Sequence, residues 1–495
     1  MSFSQKEITG IFVSGSLAMF LSVIDIGVVP TALSTIGKEL NAGSQLSWVI
    51  TAFMMAITVS TPIYGKLLDI YGYQLMLKIA VSIFIVGAIL CSTANNITLL
   101  ISYRIIQGCG SGGLMLLAFV IVGRVIPPDR QGLYQGFLGG IFALACLIGP
   151  LLGGWFSEFL SWRLIFLLYV PIGVLVLFKI QSSMKRLAKG DNANAKIDLT
   201  GALLFTVWIV ALLLLINQFT SASKDVLIST PLFLVLVVVL LLLFIIQEKR
   251  ASEPIIPLRL FGKPGFSVIV ATTAIYAISA YAATLYIPNY FQLVIGATAT
   301  QSALMLEAVQ VGMVIGPVAS GWLVGRYLQH KTCLLLIIGI TVVMYVLISL
   351  PYELLKIHIT AIPILMMMGV GLGTIMPLMT LITQNSADKS DLGSATAVLG
   401  LFRTMGTVIG STVFSAIYST ELISKLSSLQ LSSSQMSNIQ SQGVKAIADL
   451  SESIQLQVLQ ACSGSSRSIF LAAAVCALIA WVIALFIKRL SLKAV

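Results

Sequence analysis

The sequence predicts an all-α polytopic membrane protein whose fourteen spanning helices are arranged as six, two and six. Composition is the first reason, since 58% of the 495 residues are hydrophobic, only 9% are charged, and the mean hydropathy is +1.01. A water-soluble core of this size requires no such excess of apolar residues. The second reason is the recurrence of apolar runs about 20 residues long, which is the length of helix that crosses a bilayer.

These apolar runs define the predicted spans and the orientation of the chain. The spans are residues 11–33, 46–65, 79–94, 98–122, 132–157, 164–180, 199–217, 226–246, 266–288, 302–325, 332–350, 358–382, 393–417 and 468–487. An even number of spans places both termini on one side. Twenty Lys and Arg residues fall on that side and seven on the other. This bias predicts cytoplasmic termini, in a plasma membrane that we expect to be bacterial.

The same bias accounts for the net charge of +11. In a soluble protein such a charge would suggest a nucleic-acid partner, but the bases form no run with interleaved aromatic residues. Nucleic acid is therefore excluded, and the lipid bilayer is the expected partner of a chain that we expect to be monomeric. The six cysteines and two histidines are scattered, so we predict no disulfide framework, metal site or cofactor.

Two polar cytoplasmic stretches, 181–198 and 247–265, divide the chain. We therefore predict a first six-helix bundle at 1–180, a basic linker with an inserted helix pair at 181–265, and a second six-helix bundle at 266–495. Transporters with two such bundles bind substrate between them, so the inserted pair is expected to lie outside the transport path. The long outer loop 420–467 is either a short amphipathic surface helix or a partly ordered polar connection.

No sequence pattern supports an enzyme. The run Gly108-Cys-Gly110-Ser-Gly-Gly113 matches a dinucleotide fingerprint by spacing, but it lies in an apolar span and not in a βαβ unit. No Gly-Lys pair is followed by the Ser or Thr of a phosphate-binding loop, and no Ser/His/Asp grouping occurs. The glycines instead indicate close helix packing, and we predict that the protein is not an enzyme.

Two carboxylates, Asp25 and Glu307, lie inside apolar spans, whereas every other acid can be placed in a loop or at a helix end. A charge at bilayer depth costs roughly 2.5 to 3.5 kcal/mol, so such residues are candidates for function. We predict that Asp25 exchanges protons, and the alternative is a structural acid paired with a base. Arg104, roughly 9 Å below the outer boundary, lies at a comparable depth and is its candidate partner.

The connection between the second and third spans reads Gly65-Lys-Leu-Leu-Asp69-Ile-Tyr-Gly72. It is a tight cytoplasmic turn that carries an acid at the membrane surface. Arg130, in the neighbouring cytoplasmic loop, is the candidate partner of Asp69. A short turn requires glycine in any case, which is the alternative to the gating role that we predict for Gly65, Asp69, Gly72 and Arg130.

The fifth span contains Gly149-Pro150-Leu-Leu-Gly153-Gly154. Proline weakens the local helical hydrogen bonding, and small residues four apart allow another helix to approach closely. The combination predicts a hinge, and ordinary helix packing is the alternative.

Taken in order, these motifs resemble the fourteen-helix drug:proton antiporters of the major facilitator superfamily. The resemblance rests on Asp25, Gly65-x-Leu-x-Asp69-x-x-Gly72, Arg104-x-x-Gln107-Gly108, Gly149-Pro150-x-x-Gly153-Gly154, Trp162-Arg163, Val170-Pro171-Ile-Gly173, Asp198-x-x-Gly201, Pro257-Leu-Arg-Leu-Phe261, Gly369-x-Gly371-x-Gly373 and Gly393-x-Ala395 through Arg403. It implies the major facilitator fold, export by antiport, and participation of Asp25 and Arg104 in proton coupling.

The chain departs from that family in the turn after the second span. Ile70, Tyr73 and Gln74 stand where the family normally carries basic residues. We expect Lys66 or Lys78 to supply the missing charge.

A second departure is Glu307, which stands about where the family generally has a proline. The resemblance suggests a site for a cationic substrate or a second proton, and the alternative is an acid that reaches the outer interface. Arg403, near the midplane of the thirteenth span, needs an acid, a carbonyl or water, and Glu307 is a possible partner. We therefore predict substrate contacts from Asp25, Glu307 and Arg403, and proton coupling by Asp25, Arg104 and Glu307.

The predicted function is proton-driven export of lipophilic, cationic drugs or toxic compounds, which would confer antibiotic resistance. An apolar cavity with few fixed acids favours small-molecule substrates bound by shape-tolerant contacts. The alternative is a proton-coupled carrier of the same fold that serves one physiological solute, such as an amino acid, a lipid or a metabolite.

Overall fold

The fold is taken from a computed structural model, which describes residues 4–183, 198–220, 230–263, 265–293, 299–326, 329–350, 357–427 and 452–487. Within these ranges the long elements are all α-helices. The first seven are α1 (Gln5–Glu39), α2 (Trp48–Tyr71), α3 (Tyr73–Ser92), α4 (Ile97–Val125), α5 (Pro128–Phe159), α6 (Trp162–Ser183) and α7 (Leu199–Thr220). The next seven are α8 (Thr230–Arg250), α9 (Phe266–Leu293), α10 (Ala299–Arg326), α11 (His330–Ile348), α12 (Ile357–Ser386), α13 (Leu392–Ser427) and α14 (Glu452–Ala484).

Each predicted span coincides with one of these helices, and thirteen of them are long and apolar enough to cross a membrane. The fourteenth, α9, contributes an apolar stretch at Phe266–Ala280. The all-α polytopic fold class is thus confirmed.

The prediction that residues 420–467 form a loop was wrong at both ends. Helix α13 continues to Ser427, and α14 already begins at Glu452. Apolar contacts between Leu422, Leu426 and Val458 hold the two extensions together, so the hydrophobic spacing of this segment is used for helix pairing. Residues 428–451, which carry part of the predicted amphipathic pattern, lie outside the described residues, as do all four basic residues of the 181–198 stretch.

Local signals explain where several helices begin and end. Ser4 caps α1 by a reciprocal arrangement: its side chain accepts from the Glu7 amide, and the Glu7 carboxylate accepts from the Ser4 amide. Between α2 and α3 the chain reverses at Gly72, whose φ of 88° is a conformation that only glycine adopts without strain. The short turn predicted from the Gly65–Gly72 motif is therefore present.

Helices α1–α6 share one apolar core, with α4 packed between α1, α2 and α3. The glycine run of α4 makes this packing possible. A Cβ atom on Gly108 would lie 2.6 Å from the Phe53 carbonyl oxygen of α2, and one on Gly110 would lie 2.4 Å from the Phe84 nitrogen of α3. The run thus brings helix backbones together, as predicted from its place in an apolar span.

Helices α9–α14 pack around two further apolar clusters, and α10 and α12 are held together by glycines in the same way. A Cβ on Gly312 would lie 2.0 Å from the Met366 carbonyl oxygen, and one on Gly369 would lie 2.0 Å from the Val309 carbonyl oxygen. Helices α7 and α8 pack on each other, with the Trp208 and Phe244 rings stacked 6.0 Å apart. Helix α7 also contacts α2 and α13.

Candidate functional site

A buried ion pair joins α1 to α4. The Arg104 Nη1 donates to Asp25 Oδ2 at 2.7 Å, and the Arg104 and Asp25 side chains are 1% and 0% exposed. The sequence analysis expected these residues to pair because of their similar depths, and the structure brings them together. Breaking such a pair by removing one partner costs about 3 to 5 kcal/mol, because the other charge is left buried and uncompensated.

Neighbouring groups complete the coordination of this pair. Gln107 donates to Asp25 Oδ1 at 3.2 Å and accepts from Arg104 Nη1 at 2.8 Å. The Arg104 Nε donates to the Val49 carbonyl oxygen at 3.3 Å, and its guanidinium carbon lies 3.8 Å from the centre of the Phe53 ring. These contacts tie α1, α2 and α4 into one polar network inside an apolar core.

One further polar group lies at this site. The buried Tyr169 hydroxyl of α6 interacts with the Asp25 carboxylate but lies outside hydrogen-bond geometry and has no hydrogen-bond partner. A slight movement of the Asp25 carboxylate could therefore bring it into hydrogen-bond geometry with the Tyr169 hydroxyl. This residue was missed by the sequence analysis, although a tyrosine within the sixth span is an intramembrane polar group of the kind that marks such sites.

The glycine and proline motif of α5 packs against α1 at Gly27 and Val28, the residues that closely follow Asp25. A Cβ on Gly149 would lie 2.8 Å from the Gly27 Cα, and one on Gly153 would lie 2.3 Å from the Val28 carbonyl oxygen. A Cβ on Gly154, by contrast, would meet no atom within 4 Å. The helix-packing role thus applies to Gly149 and Gly153. The hinge role predicted for Pro150 and its neighbours stays a prediction.

The two six-helix groups are closely joined at the end of the molecule that contains Gly72, Pro128 and Leu392, which we call the Asp69 end. Asp69 Oδ1 accepts from the Gly393 amide at 3.0 Å, and Oδ2 accepts from the Ser394 amide at 2.9 Å and from its hydroxyl at 2.8 Å. The two amides are free N–H groups at the start of α13, where a negative charge is stabilised. A Cβ on Gly65 would lie 2.6 Å from the Ala397 Cβ, so small residues allow this contact.

The predicted pairing of Asp69 with Arg130 was wrong. Arg130 is exposed, and its ion pair is with Asp129 at 3.7 Å. The physical reason is that the first turn of α13 already supplies three donors to Asp69. The sequence analysis did not find this contact because it joins residues that are more than three hundred positions apart.

The lysines expected to substitute for the missing bases also pair elsewhere. Lys78 donates to Gln181, and Lys66 forms an ion pair with Glu253 at 2.5 Å. Glu253 belongs to residues 251–263, which we call the strap because this segment contacts both six-helix groups. Neither lysine interacts with Asp69 in the described part of the chain.

The strap is fixed to the second six-helix group by two ion pairs. Arg259 Nη2 lies 2.8 Å from Asp391 Oδ1, and Lys263 pairs with Asp388. The hydrogen bond from Lys263 lowers the pKa of Asp388 below its usual value. Glu248, near the end of α8, accepts from the Ile255 and Ile256 amides of the strap at 3.2 Å each. No sequence pattern predicted this arrangement, because charged residues between two spans are typical of an ordinary solvated loop.

Amide side chains form a second contact between the groups at the Asp69 end. Gln135 Nε2 of α5 donates to Gln384 Oε1 of α12 at 2.9 Å, and Gln384 Nε2 donates to the Phe119 carbonyl oxygen of α4 at 3.0 Å. All of these groups are buried. The sequence analysis treated only charged residues as intramembrane signals, and it missed these glutamines for that reason.

Glu307 and Arg403 are not brought together as an ion pair. Glu307 is half-buried on α10, and its Oε2 atom is buried without a hydrogen-bond partner. Arg403 is half-buried on α13, and its recorded contact is a hydrogen bond to the Met376 sulfur, which is a weak acceptor. Among the described residues neither side chain has an ion-pair partner of opposite charge. The suggested Glu307–Arg403 pairing was therefore wrong for this conformation.

The described residues contain no group of three or more His, Cys, Asp or Glu side chains that could hold a metal ion. The polar groups discussed here are instead isolated pairs and triads between helices.

Known proteins similar to this chain include drug transporters. The Major Facilitator Superfamily profile matches residues 15–411. The chain is 30% identical over 417 residues to the multidrug transporter protein MdtP of Bacillus subtilis, covering 83% of this chain and 74% of that protein. It is 28% identical over 414 residues to multidrug resistance protein 3 of the same organism, with coverages of 83% and 79%.

Other similar proteins extend the comparison. An uncharacterized MFS-type transporter of Mycobacterium tuberculosis is 29% identical over 466 residues, covering 94% of this chain and 67% of that protein. Among solved structures, the proton:xylose symporter XylE has a TM-score of 0.64 at 14% identity, with coverages of 99% and 98%. The human organic anion transporter MFSD10 has a TM-score of 0.63 at 12% identity, with coverages of 95% and 99%. At these identities the solved structures establish the fold alone.

Proposed function

The chain belongs to the major facilitator superfamily, and from that premise we propose that it exports lipophilic, cationic compounds in exchange for protons. It is a multi-pass membrane transporter and not an enzyme, and relatives about 30% identical to it are named multidrug transporters. The finer proposal concerns the direction of transport, the coupling ion and the substrate. It rests on the buried charges described above.

The observation that carries the proposal is the Asp25–Arg104 ion pair inside the membrane. A protonated Asp25 would lose its charge and its strong attraction to Arg104, so the proton and the packing of α1 against α4 are linked. Since Asp25 is 0% exposed, we propose that it exchanges protons only after the two bundles have tilted. Alternating access supplies such a movement.

We propose Glu307 as the group that attracts a cationic substrate. Its Oε2 atom is buried and lacks a hydrogen-bond partner, and an acid in that position is better satisfied by a bound cation than by the surrounding helix. A substrate cation would therefore gain an ion pair in a low-dielectric setting, where such an interaction is strong. Protonation of Glu307 would weaken that attraction and favour release.

The orientation is part of the proposal. With both termini in the cytoplasm, the Asp69 end faces the cytoplasm of what we propose is a bacterial cell. The contacts of Asp69 with α13 and of Gln135 with Gln384 then support a conformation closed toward the cell interior. This is the conformation in which an exporter releases its substrate outside and takes up a proton. We further propose that a single chain performs this cycle.

A proteoliposome experiment tests the proposal. Purified protein is reconstituted with an imposed pH gradient, and transport of the cationic dye rhodamine 123 is followed with and without a proton uncoupler. We expect the dye to move against the proton flux in the wild-type protein and to stop moving when the uncoupler is added. Asp25→Asn should remove this coupling, whereas Asp129→Asn, an exposed acid on α5, is the matched control and should not.

Two outcomes would contradict the proposal. Movement of substrate together with protons would identify a symporter and would favour a carrier of a physiological solute. Unimpaired coupled export by the Asp25→Asn variant would remove Asp25 from the mechanism.

A further inference from the structure

The contacts between the two six-helix groups loosen with distance from the Asp69 end along α5 and α10. A Cβ on Gly136 would lie 2.3 Å from the Pro317 carbonyl oxygen, whereas one on Gly140 has its closest atom, a Val318 methyl carbon, at 3.1 Å. The Val314 carbonyl oxygen is 3.6 Å from the same Gly140 position. At Gly140 the two helices are thus still in contact, but through the Val318 side chain instead of the backbone.

Helices α2 and α13 separate in the same direction. A Cβ on Gly393 would lie 2.4 Å from the Gly65 carbonyl oxygen. Two turns further along α13, a Cβ on Gly400 would have the Thr61 methyl carbon at 3.9 Å as its closest neighbour. Both pairs of helices thus approach each other less closely a few turns from the Asp69 end than they do at that end.

Glu307 and Arg403 lie beyond Gly140 and Gly400, farther from the Asp69 end. Glu307 precedes Val314 by seven residues, which places it on the α5-facing side of α10 about 10 Å further along. Arg403 follows Gly400 by three residues, about 4.5 Å further along α13. It contacts Met376 of α12, and Met376 itself packs against the apolar core of α1–α6. Arg403 is therefore placed where α12, α13 and the first bundle meet.

Among the described residues, the charge of Arg403 has no counter-charge. A guanidinium group carries five N–H donors, and the recorded acceptor is a thioether sulfur. No described carboxylate forms an ion pair with it. A planar guanidinium binds a carboxylate through two parallel hydrogen bonds, so an anionic substrate group would supply what the helix neighbours do not.

We infer that Arg403 is an anion-binding subsite and that the preferred substrates are amphiphilic zwitterions. The cationic group of such a compound would pair with Glu307, its carboxylate with Arg403, and its apolar skeleton with the space between the bundles. This inference rests on the proposed function for the role of Glu307. It narrows the substrate class from cations in general to compounds that carry both charges.

Two dyes that differ by one methyl group test the inference. Rhodamine 110 has a free carboxylate, and rhodamine 123 is its methyl ester. Binding of each dye to the full chain in nanodiscs is measured by fluorescence anisotropy for the wild type, Arg403→Gln and Arg403→Lys. Arg130→Gln, at an exposed arginine, is the matched control, and thermal unfolding establishes that each variant is folded.

We expect Arg403→Gln to weaken rhodamine 110 binding about tenfold or more, since hydrogen bonds to charged groups contribute about 1.5 to 3 kcal/mol. Binding of rhodamine 123 should change by less than about twofold, because it has no carboxylate to lose. Arg403→Lys keeps the positive charge but loses the two parallel hydrogen bonds, so its affinity for rhodamine 110 should lie between those of the wild type and Arg403→Gln.

Equal weakening for both dyes would overturn the inference, and so would a wild-type protein that does not bind rhodamine 110. The proposed function would stand in either case if rhodamine 123 export depends on the proton gradient. Conversely, Arg403-dependent binding of rhodamine 110 without proton-coupled export would support the inference and contradict proton exchange.

Discussion

The buried charges of the two bundles differ in how they are satisfied. In the first bundle, Asp25 is bonded to Arg104 and Gln107, and Arg104 also has the Val49 carbonyl oxygen and the Phe53 ring. In the second bundle, Glu307 has a buried oxygen without a hydrogen-bond partner, and Arg403 donates to the Met376 thioether among the described residues. Paired charges suit an internal switch, whereas charges without protein partners suit a ligand. The difference assigns different tasks to the two bundles.

The largest expected effect comes from breaking the Asp25–Arg104 ion pair. Arg104→Gln leaves the Asp25 carboxylate buried without its counter-charge, and we expect a loss of about 3 to 5 kcal/mol of stability. Thermal unfolding of the purified protein in detergent measures the effect. The double variant Asp25→Asn with Arg104→Gln is the matched control, since it removes both charges and should recover most of the stability without recovering proton coupling. A single Arg104→Gln variant as stable as the wild type would show that the pair is not energetically important.

A smaller effect is expected at Asp69, the satisfied acid that joins the two bundles. Asp69→Asn removes the charge that accepts three hydrogen bonds at the start of α13, which should weaken the closed arrangement by about 1.5 to 3 kcal/mol. We expect spin labels at the exposed residues Asp129 and Ser390 to move apart in a cysteine-free background. Glu158→Gln, at an exposed position of α5, is the control. An unchanged distance distribution would contradict the role of Asp69 in holding this end closed.

Glu307, whose buried oxygen has no hydrogen-bond partner, should contribute little to stability and much to substrate export. Glu307→Gln breaks no ion pair in the described structure, so we expect stability to change by less than about 1 kcal/mol. Export of cationic substrates should fall about tenfold, the loss expected when one charge-assisted contact of about 1.4 kcal/mol is removed. Export of neutral substrates should persist. Equal loss for neutral and cationic substrates would instead indicate that Glu307 couples protons or supports the fold.

The smallest effect is expected in the strap. Glu253→Gln removes the ion pair with Lys66, whose side chains are 27% and 8% exposed, and partly exposed pairs contribute at most about 1 kcal/mol. Transport by the wild type should therefore be slightly more sensitive to high salt than transport by the variant. Glu158→Gln, at an exposed position of α5, is the control for a change of net charge. Identical salt dependence in all three proteins would exclude a role for this pair.

The fold was largely predictable because spanning helices are long, apolar and separated by charged turns. Depth along a helix follows from counting residues, and this was sufficient to expect the Asp25–Arg104 pair. Depth does not reveal which way a side chain points around its helix, and for this reason the pairing of Glu307 with Arg403 was wrong. Counting also gave no means of finding the Gln135–Gln384 contact, which depends on how α5 and α12 meet across the two bundles.

Charge alone was a poor guide at the Asp69 end. The search for a partner of Asp69 considered basic side chains and selected Arg130, but the structure satisfies the acid with the backbone and a hydroxyl group of α13. Free amides at the start of a helix carry no signature in the residue letters. The start of a helix carries a partial positive charge that can replace a basic side chain. On that ground Gly393 and Ser394 belong among the candidate partners of Asp69.

The strap also bears on the two helices that precede it. Glu248 of α8 binds the Ile255 and Ile256 amides, and the same segment reaches Lys66 on one side and Asp391 on the other. Deleting α7 and α8 to make a shorter, twelve-helix chain would remove Glu248 and its two hydrogen bonds to the strap. We propose that the inserted pair influences how readily the transporter opens through this connection, without itself binding substrate.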